Sequence, residues 1–259
     1  MNRFAWAVGA IWVFVLTVPM WSPCDPTASA AGVWQPSGEA GLFGTDSLGR
    51  DVACRTLLGG WRLSLTAIVS AILATGLGSL AGLLLGWFAE HRLAGIVTWL
   101  ADVALIIPTI VVALLAAVAL PTAMAVIVAT VAAGAPLTLR VMMDLTSGSR
   151  DSGYVRVARL RRDRTVSIIA CEVLPANLRA LGGDLAHRTV LALQLGAALH
   201  VLGFGPDPPN ADWGTMMIEN LPGLSLNPAA VVAPALALGV VAATVGLLAH
   251  LMADRSGAQ

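Results

Sequence analysis

Long stretches without a charged residue alternate with short charged segments along this chain. A bilayer core of about 30 Å requires roughly 20 apolar residues in a helix, and five stretches approach or exceed that length. They cover residues 4–24, 63–89, 103–139, 189–206 and 220–253. Helices are expected because a membrane-spanning segment must satisfy its own backbone hydrogen bonds. The pattern therefore predicts an all-α integral membrane protein.

The third stretch is too long for a single crossing. At about 1.5 Å per residue, residues 103–139 would extend about 55 Å as one helix. Leu120-Pro121-Thr122 supplies a turn in its middle, since proline interrupts a helix. The five stretches thus predict six transmembrane helices in a single domain covering residues 1–259. An external loop is expected at 22–60 and a cytoplasmic loop at 144–177.

Composition agrees with this class and restricts the function. Only 12% of the residues are charged, whereas soluble domains carry about 25%. All fifteen basic residues are Arg, and a chain without Lys cannot form a P-loop. ATP and Mg²⁺ would therefore have to be bound by another polypeptide. Fifteen acidic residues balance the basic ones, so the charge gives no reason to expect a nucleic-acid partner.

Arginine placement predicts the orientation, because positive residues in short loops stay cytoplasmic. With the N-terminus inside, the outer loops hold only Arg50, Arg55 and Arg62. The inner segments hold Arg3, Arg92, Arg140, Arg150, Arg156, Arg159, Arg161, Arg162, Arg164, Arg179 and Arg255. Both termini are therefore predicted to be cytoplasmic.

The first 60 residues leave two alternatives open. Residues 4–20, followed by Ala28-Ser29-Ala30, imitate a cleavable signal peptide. The apolar part exceeds the usual length of about 7 to 15 residues, so a retained helix is expected. The three cysteines match neither a disulfide framework nor a zinc spacing. Cys24 and Cys54 nevertheless share the predicted external loop, where a disulfide could form if that side is oxidising.

Three ordered motifs relate the sequence to a known family. They are Phe43-Gly44-Thr45-Asp46-Ser47-Leu48-Gly49-Arg50-Asp51-Val52, then Asp102 to Pro108, then Leu202 to Gly205 with Pro208 to Gly214. They resemble the G-T-D-x-x-G-R-D-V, D-V-L-L-x-x-P and L-G-L-G, P-P-x-x-x-W-G stretches of inner-membrane permeases in dipeptide, oligopeptide and nickel ABC importers. The resemblance is to the second, C-type permease, and it covers roughly residues 40 to 255.

This resemblance implies a type I ABC importer permease fold in a multi-pass protein of the bacterial inner membrane. The chain would form half of a translocation pathway for di- or oligopeptides. Its partners would be a second permease in a heterodimer, two ATPase subunits and an extracytoplasmic substrate-binding protein. Nickel or a metal chelate is the alternative cargo, and an ATP-independent channel or membrane scaffold is the alternative class. The sequence predicts no catalytic residue, metal site or cofactor in this chain.

The external-loop motif also has a simple structural interpretation. Gly44 and Gly49 provide backbone freedom at a turn, and Asp46 and Asp51 can accept backbone N–H bonds at a helix start. Arg50 belongs to the same motif. Trp213, in the later outer loop, could contact an incoming binding protein or anchor the chain at the membrane interface.

The resemblance places the ATPase-coupling helix at Tyr154, Val155, Arg156, Val157, Ala158 and Arg159. Compared with the family pattern E-Y-V-E-A-A-R-A-L-G, Gly153 and Arg156 replace the two Glu, and Arg162 stands at the Gly position. Arg in place of an acid reverses the charge of a docking surface, and Arg disfavours a turn with positive φ. Either the partner ATPase has a compensating acidic groove, or coupling is weakened. The Arg cluster could also only fix topology or meet anionic lipids.

Polar residues in the fifth predicted span are candidates for the translocation path. They are Asp184, His187, Arg188, Gln194 and His200. A span beginning at 189 would place the first three at the cytoplasmic edge. Asp184 and Arg188 form an i, i+4 pair on a face shared with His187 and Gln194. His200 lies on another face, where it could ligate a metal or make one hydrogen bond to a neighbouring helix.

Overall fold

The computed structural model describes residues 2–29, 31–88, 91–207 and 209–253. Its helices are α1 (Asn2–Trp21), α2 (Val52–Leu58), α3 (Trp61–Phe88), α4 (His91–Ile106), α5 (Thr109–Ala119), α6 (Thr122–Ser149), α7 (Gly153–Leu160), α8 (Thr165–Ile168), α9 (Leu174–Leu199), α10 (Trp213–Asn220) and α11 (Ala229–Ala253). One π-helical turn (Ile169–Val173) joins α8 to α9, and another (His200–Phe204) follows α9.

Several helices are long and apolar enough to cross a bilayer. Within the described ranges there are four, in Val52–Phe88, Thr122–Ser149, Thr165–Phe204 and Ala229–Leu248. Helices α4 and α5 qualify only as a pair bent by 77°, which is a broken span or a re-entrant loop. The apolar part of α1, Ala7–Trp21, is shorter. The all-α membrane class is therefore confirmed, whereas six separate spans remain a prediction.

The helix boundaries differ from the prediction because charges stand inside helices. The predicted turn at Leu120-Pro121-Thr122 is confirmed, since α5 ends at Ala119 and α6 begins at Thr122. The helices extend beyond the uncharged stretches that begin at 103 and 189, since α4 begins at His91 and α9 at Leu174. Helix α6 also continues past Arg140, which forms an ion pair with Asp102 of α4.

Helices α3 and α6 pack closely along most of their length. A Cβ atom added at Gly78, Gly82 or Gly86 of α3 would lie 2.5 to 2.7 Å from a backbone carbonyl oxygen of α6. Small residues spaced four apart allow two helix backbones to approach in this way. Helix α9 contacts both α3 and α6, and Leu193 of α9 is fully buried in the shared core.

Helix α1 is part of the packed structure. Val15 belongs to the core that contains Leu63 and Leu193, and retention of the helix stays a prediction. Just after α1, Cys24 forms a disulfide with Cys54 of α2, with their Cα atoms 6.0 Å apart. The sequence left this pairing open. Disulfides persist in oxidising compartments, so the bond agrees with an external position for the α1–α3 connection.

Candidate functional site

A buried cluster of four charged side chains joins the α1–α3 connection to α10. We call this cluster the outer clasp, and it consists of Asp46, Arg50, Arg55 and Glu219. Asp46 Oδ2 accepts hydrogen bonds from Arg50 Nε at 2.7 Å and from Arg55 Nη1. Glu219 Oε2 lies 3.3 Å from Arg50 Nη2 and 3.2 Å from Arg55 Nη1. The side chains of Asp46 and Arg55 are completely buried, so each depends on the others for charge compensation.

The backbone around the clasp has the geometry that the motif predicts. Asp46 Oδ1 accepts the N–H groups of Leu48 and Arg50, both at 2.9 Å. Asp51 caps α2 by accepting the N–H of Ala53 at 2.8 Å. Gly44 and Gly49 have φ angles of +69° and +73°, and a Cβ at Gly49 would lie 2.3 Å from the carbonyl oxygen of Ala31. Glycine is therefore required at Gly49 for both conformation and space.

The same contacts control the ionisation of Asp46. Burial raises the pKa of Asp46, but the backbone N–H groups of Arg50 and Leu48 and the guanidinium groups of Arg55 and Arg50 outweigh burial. The net result is a pKa below the usual aspartate value. A carboxylate with a lowered pKa stabilises the fold above the pKa it has in the unfolded chain, about 3.9, and this contribution is lost as pH falls through the lower folded-state pKa.

Trp213 is buried, whereas the sequence suggested contact with a binding protein or with the membrane interface. Its side chain is only 2% exposed, and its Nε1–H donates to the carbonyl oxygen of Thr56 at 2.7 Å. A Cβ at Gly60 would lie 2.2 Å from the indole ring. An outward contact with a binding protein or a lipid interface is therefore wrong for Trp213, which packs the later outer loop against α2. Pro208 of the same motif lies outside the described residues.

The predicted coupling segment forms an amphipathic helix, α7. Val155 and Ala158 are completely buried in a cluster with Met142 of α6 and Val173. Tyr154, Arg156, Val157 and Arg159 are exposed. The helix is thus fixed to the rest of the protein by one face while the other face is open to a partner.

The turn after α7 explains how the chain accommodates Arg162. The N–H of Arg162 bonds to the carbonyl oxygen of Arg159 at 3.0 Å, and the N–H of Asp163 bonds to that of Ala158 at 3.2 Å. These two bonds define a Schellman motif, which needs a left-handed residue at the position after the helix cap. Arg162 occupies that position with φ +62°. The expected positive-φ turn is therefore kept, although Arg stands where glycine is favoured.

We expect Arg162→Gly to stabilise this turn, because it removes a Cβ from a left-handed conformation that costs about 1 kcal/mol or more. Part of the gain is offset by the greater freedom of glycine in the unfolded chain. Hydrogen exchange of the Asp163 amide should slow roughly threefold, since 1.4 kcal/mol corresponds to about tenfold. The control is Arg164→Gly. Arg164 has a φ of −64°, so this substitution should not slow the exchange of the Asp163 amide. If the Asp163 amide exchanges at the same rate or faster in Arg162→Gly, the left-handed conformation of Arg162 is not strained.

The exposed side of the coupling segment is positively charged. Between residues 150 and 164 the sequence has six Arg and two Asp. Arg159 stacks over Trp87, with Cζ 5.5 Å from the ring centroid, and Arg161 pairs with Glu172 at 3.0 Å. Arg156 has no ion-pair partner in the part of the chain that the structure describes. Its charge is thus available to a partner surface.

The predicted Asp184–Arg188 pair is formed inside the bundle. Asp184 Oδ2 accepts hydrogen bonds from Thr75 of α3 at 2.8 Å, Thr138 of α6 at 2.7 Å and Arg188 Nε at 3.1 Å. Arg188 is only 4% exposed. Because α9 begins at Leu174, the pair lies well inside the helix, while its place at the cytoplasmic edge of the span stays a prediction. The two threonines could not be singled out from sequence, since lone Thr residues are common in membrane helices.

A cavity of about 330 Å³ adjoins this pair between α5, α6 and α9. Its lining consists of Thr109, Ile110, Thr130, Ala133, Gly134, Arg188, Leu191, Gln194 and Leu195. Two of the five candidates, Arg188 and Gln194, therefore border one space. His187 is exposed and is not part of this lining.

His200 is held in a separate place by a neighbouring carboxylate. Its Nδ1 lies 2.7 Å from Asp212 Oδ1, and the same oxygen accepts the N–H groups of Gly214 and Thr215 at the start of α10. Among the described residues, no three His, Cys, Asp or Glu side chains are grouped as a metal site. The sequence allowed either a metal ligand or a single hydrogen bond at His200, and the structure shows a hydrogen bond with Asp212, in the segment before α10.

Comparison with known proteins identifies the family. Residues 56–257 match the model of the binding-protein-dependent transport system inner membrane component. The chain belongs to this family. The resemblance found in the motifs is thereby confirmed, and the family match covers α3 to α11, including α7.

Several curated relatives are similar to the chain over most of its length. It is 31% identical to the di/tripeptide transport system permease protein DppC of Pseudomonas aeruginosa over 82% of this chain and 76% of the relative. It is 29% identical to the glutathione transport system permease protein GsiD of Pectobacterium atrosepticum, over 82% of this chain and 70% of the relative. It is 27% identical to the oligopeptide transport system permease protein OppC of Mycobacterium tuberculosis, over 71% of this chain and 64% of the relative. The chain thus spans less than two thirds of the length of some relatives.

Proposed function

We propose that this protein is the C-type permease subunit of an ATP-driven importer and forms half of the translocation pathway for di- or oligopeptides. The similarity to permeases named for di/tripeptide, oligopeptide and glutathione transport carries the peptide assignment. Glutathione is itself a small peptide, so all three names point to one class of cargo. Nickel or a metal chelate is the alternative cargo within the same class of transporter.

Helix α7 is the proposed coupling element. Its buried face, with Val155 and Ala158, connects it to α6 and to the start of α9. A partner that moves α7 would therefore move these helices. The exposed residues Tyr154, Arg156, Val157 and Arg159 would insert into a groove of a cytoplasmic ATPase, which hydrolyses the ATP and binds its Mg²⁺.

The charge of α7 defines the partner further. Arg156 and its neighbours would fit an acidic groove, because opposite charge guides and orients association at interfaces. The retained positive-φ turn at Arg162 supports a functional docking helix over a loop that only fixes topology, since topology requires positive charge and no particular turn. The weakened-coupling alternative predicts slow transport with a normal ATPase rate.

The remaining assembly follows from the family. A second permease would complete the pathway, two ATPase subunits would bind the two coupling helices, and an extracytoplasmic binding protein would deliver the cargo. The outer clasp and the Cys24–Cys54 disulfide would face that binding protein. The α7 segment and both termini would lie in the cytoplasm. Residues 254–259 of the C-terminus lie outside the described residues.

Uptake measurements test the cargo directly. Cells with and without this subunit are given a radiolabelled tripeptide and, separately, radiolabelled nickel. We expect loss of the subunit to abolish peptide uptake through this system and to leave nickel uptake unchanged. Loss of nickel uptake alone would establish the alternative cargo. Loss of neither would contradict the importer assignment and favour an ATP-independent channel or a scaffold.

A further inference from the structure

The guanidinium of Arg188 has unused hydrogen-bonding capacity although it is buried. Its side chain is 5% exposed, and Nη2 lies 3.1 Å from Asp184 Oδ1. Nη2 is buried against that carboxylate without forming a hydrogen bond within the described ranges, where the hydrogen bonds of this guanidinium come from Nε. A buried donor without an acceptor is costly. The nitrogen that an anion could reach is Nη1, which lies beside Gly134 in the lining of the cavity.

Asp184 balances the charge of Arg188 but engages only one side of its guanidinium. Oδ2 accepts two threonine hydroxyls, from Thr75 and Thr138, in addition to Arg188 Nε. These contacts hold the guanidinium by its Nε edge. On the other side, a Cβ at Gly134 would lie 3.0 Å from Nη1, so glycine leaves room beside the guanidinium where this residue borders the cavity.

The lining of the cavity also includes a helix N-terminus. Thr109 and Ile110 begin α5 directly after the 77° break and line the same space. Pro108 precedes them and gives no side-chain cap to the helix. The first N–H groups of a helix carry partial positive charge, and broken membrane helices present such ends to anionic groups of substrates. Two positive elements from separate helices therefore converge on one cavity.

The rest of the lining fits a small organic anion attached to an apolar or neutral body. Gln194 and Thr130 add hydrogen-bonding groups, and the Thr130 hydroxyl is buried without a partner in the described part of the chain. Leu191 and Leu195 are apolar. Ionisable groups inside membrane proteins face the bundle interior or an aqueous cavity, where they mark substrate pathways.

We propose that this cavity binds a carboxylate of the peptide during translocation, through Arg188 and the N-terminus of α5. The proposal rests on the proposed function for the identity of the cargo. It adds to that function a point within the membrane where the permease itself recognises a negative group. A cation such as nickel would be disfavoured at the same point.

A cysteine beside the guanidinium tests the anion preference without any transport. Leu191 is 45% exposed and lies three residues from Arg188 on α9. Leu191→Cys is made with Cys171→Ser, so that the exposed free cysteine cannot react. Thiol-specific methanethiosulfonates with a sulfonate or a trimethylammonium group are applied to the complete importer, and each rate is divided by its rate with free cysteine.

We expect the normalised rate to favour the anionic reagent at least fivefold. The preference should disappear when Arg188→Gln is added and persist when Arg188→Lys is added. Arg179→Gln, at an exposed arginine of the same helix, is the matched control and should leave the preference intact. An equal or cation-favouring ratio in the parent protein would overturn the anion site whatever the cargo is.

Transport by the complete importer then tests the carboxylate. Proteoliposomes are supplied with trialanine, its C-terminal amide, and the amide of Ala-Glu-Ala. For each peptide, the uptake rate of the Arg188→Gln importer is divided by that of the parent importer. Since both contain the same binding protein, its own preference among the peptides cancels in this ratio. We expect uptake of trialanine to fall at least tenfold and uptake of its amide to fall less than twofold.

The glutamate peptide separates the two sources of carboxylate. A fall in its uptake equal to that of trialanine means that the site accepts a side-chain carboxylate, and no fall means that it accepts the C-terminus. Equal losses for all three peptides would show a merely structural role and overturn the proposal. If the parent importer moves none of the peptides, the proposed cargo fails, and the reagent ratio still decides whether the cavity attracts anions.

Discussion

Asp46→Ala is expected to destabilise the outer part of the protein by roughly 3 to 5 kcal/mol, because it leaves buried charge without its partner. Arg55 is completely buried, and after the substitution Arg55 and Arg50 would share only Glu219. The N–H groups of Leu48 and Arg50 would also lose their acceptor. For a chain of this size the midpoint of thermal unfolding should fall by roughly 10 °C, as measured on the purified complex.

Two controls separate the causes of this loss. Glu39→Ala removes the same kind of charge from an exposed position of the same connection and should change the midpoint by less than about 2 °C, the effect of a surface substitution. Asp46→Asn keeps an acceptor for the two N–H groups and should give an intermediate value. If Asp46→Ala unfolds at the same temperature as Glu39→Ala, the clasp does not stabilise the connection.

Acidification gives an independent measurement of the same carboxylate. The pKa of Asp46 is lowered, so the aspartate should stay charged from neutral pH down past its usual value of about 3.9. The difference in midpoint between the parent and Asp46→Ala should therefore be constant from pH 7 to about pH 5. It should shrink only at lower pH, as protonation of Asp46 begins to remove the contribution.

Arg156→Glu is expected to reduce transport at least tenfold. The substitution places a negative charge on the exposed face of α7 where the partner groove is proposed to be acidic, and like charges at an interface cost several kcal/mol. Val155 and Ala158, which hold α7 to the bundle, are unchanged. Uptake into proteoliposomes and ATP hydrolysis are measured on the same preparations. We expect hydrolysis to lose its stimulation by cargo while the permease remains inserted.

The matched control for this prediction is Arg92→Glu. It introduces the same charge change at an exposed position near the start of α4, outside the coupling segment, and should leave coupling intact. Arg156→Gln, which removes the charge without reversing it, should have a smaller effect than Arg156→Glu. Normal transport by Arg156→Glu would count against docking of this face to an acidic groove.

The sequence was informative where a physical requirement is local. Asp51 caps α2 by accepting the N–H of Ala53, only two residues ahead, and Gly49 lies at a turn with positive φ. The turn at Pro121 follows from the missing N–H of proline. The i, i+4 spacing of Asp184 and Arg188 was enough to predict their pairing, because both lie on one helix.

The helix ends were harder to predict because a charge does not end a helix that offers it a partner. Arg140 continues α6 beside Asp102 of α4, and the charges of Asp184 and Arg188 are satisfied by α3 and α6 within α9. Likewise, Arg162 accepts a left-handed conformation because the two hydrogen bonds of the turn hold it there. In each case the compensating group lies on another turn or another helix.

The apolar stretches, the absence of Lys and the local turn chemistry of the motifs thus determined by themselves that this is an all-α membrane protein whose sequence contains no P-loop. Only the tertiary structure brought Glu219 to Arg55, buried Trp213 against α2, and placed the N-terminus of α5 and Arg188 in the lining of one cavity. Those arrangements bring together residues 79 to 164 positions apart in the sequence. Their formation depends on close packing of whole helices, which no short-range pattern of residues encodes.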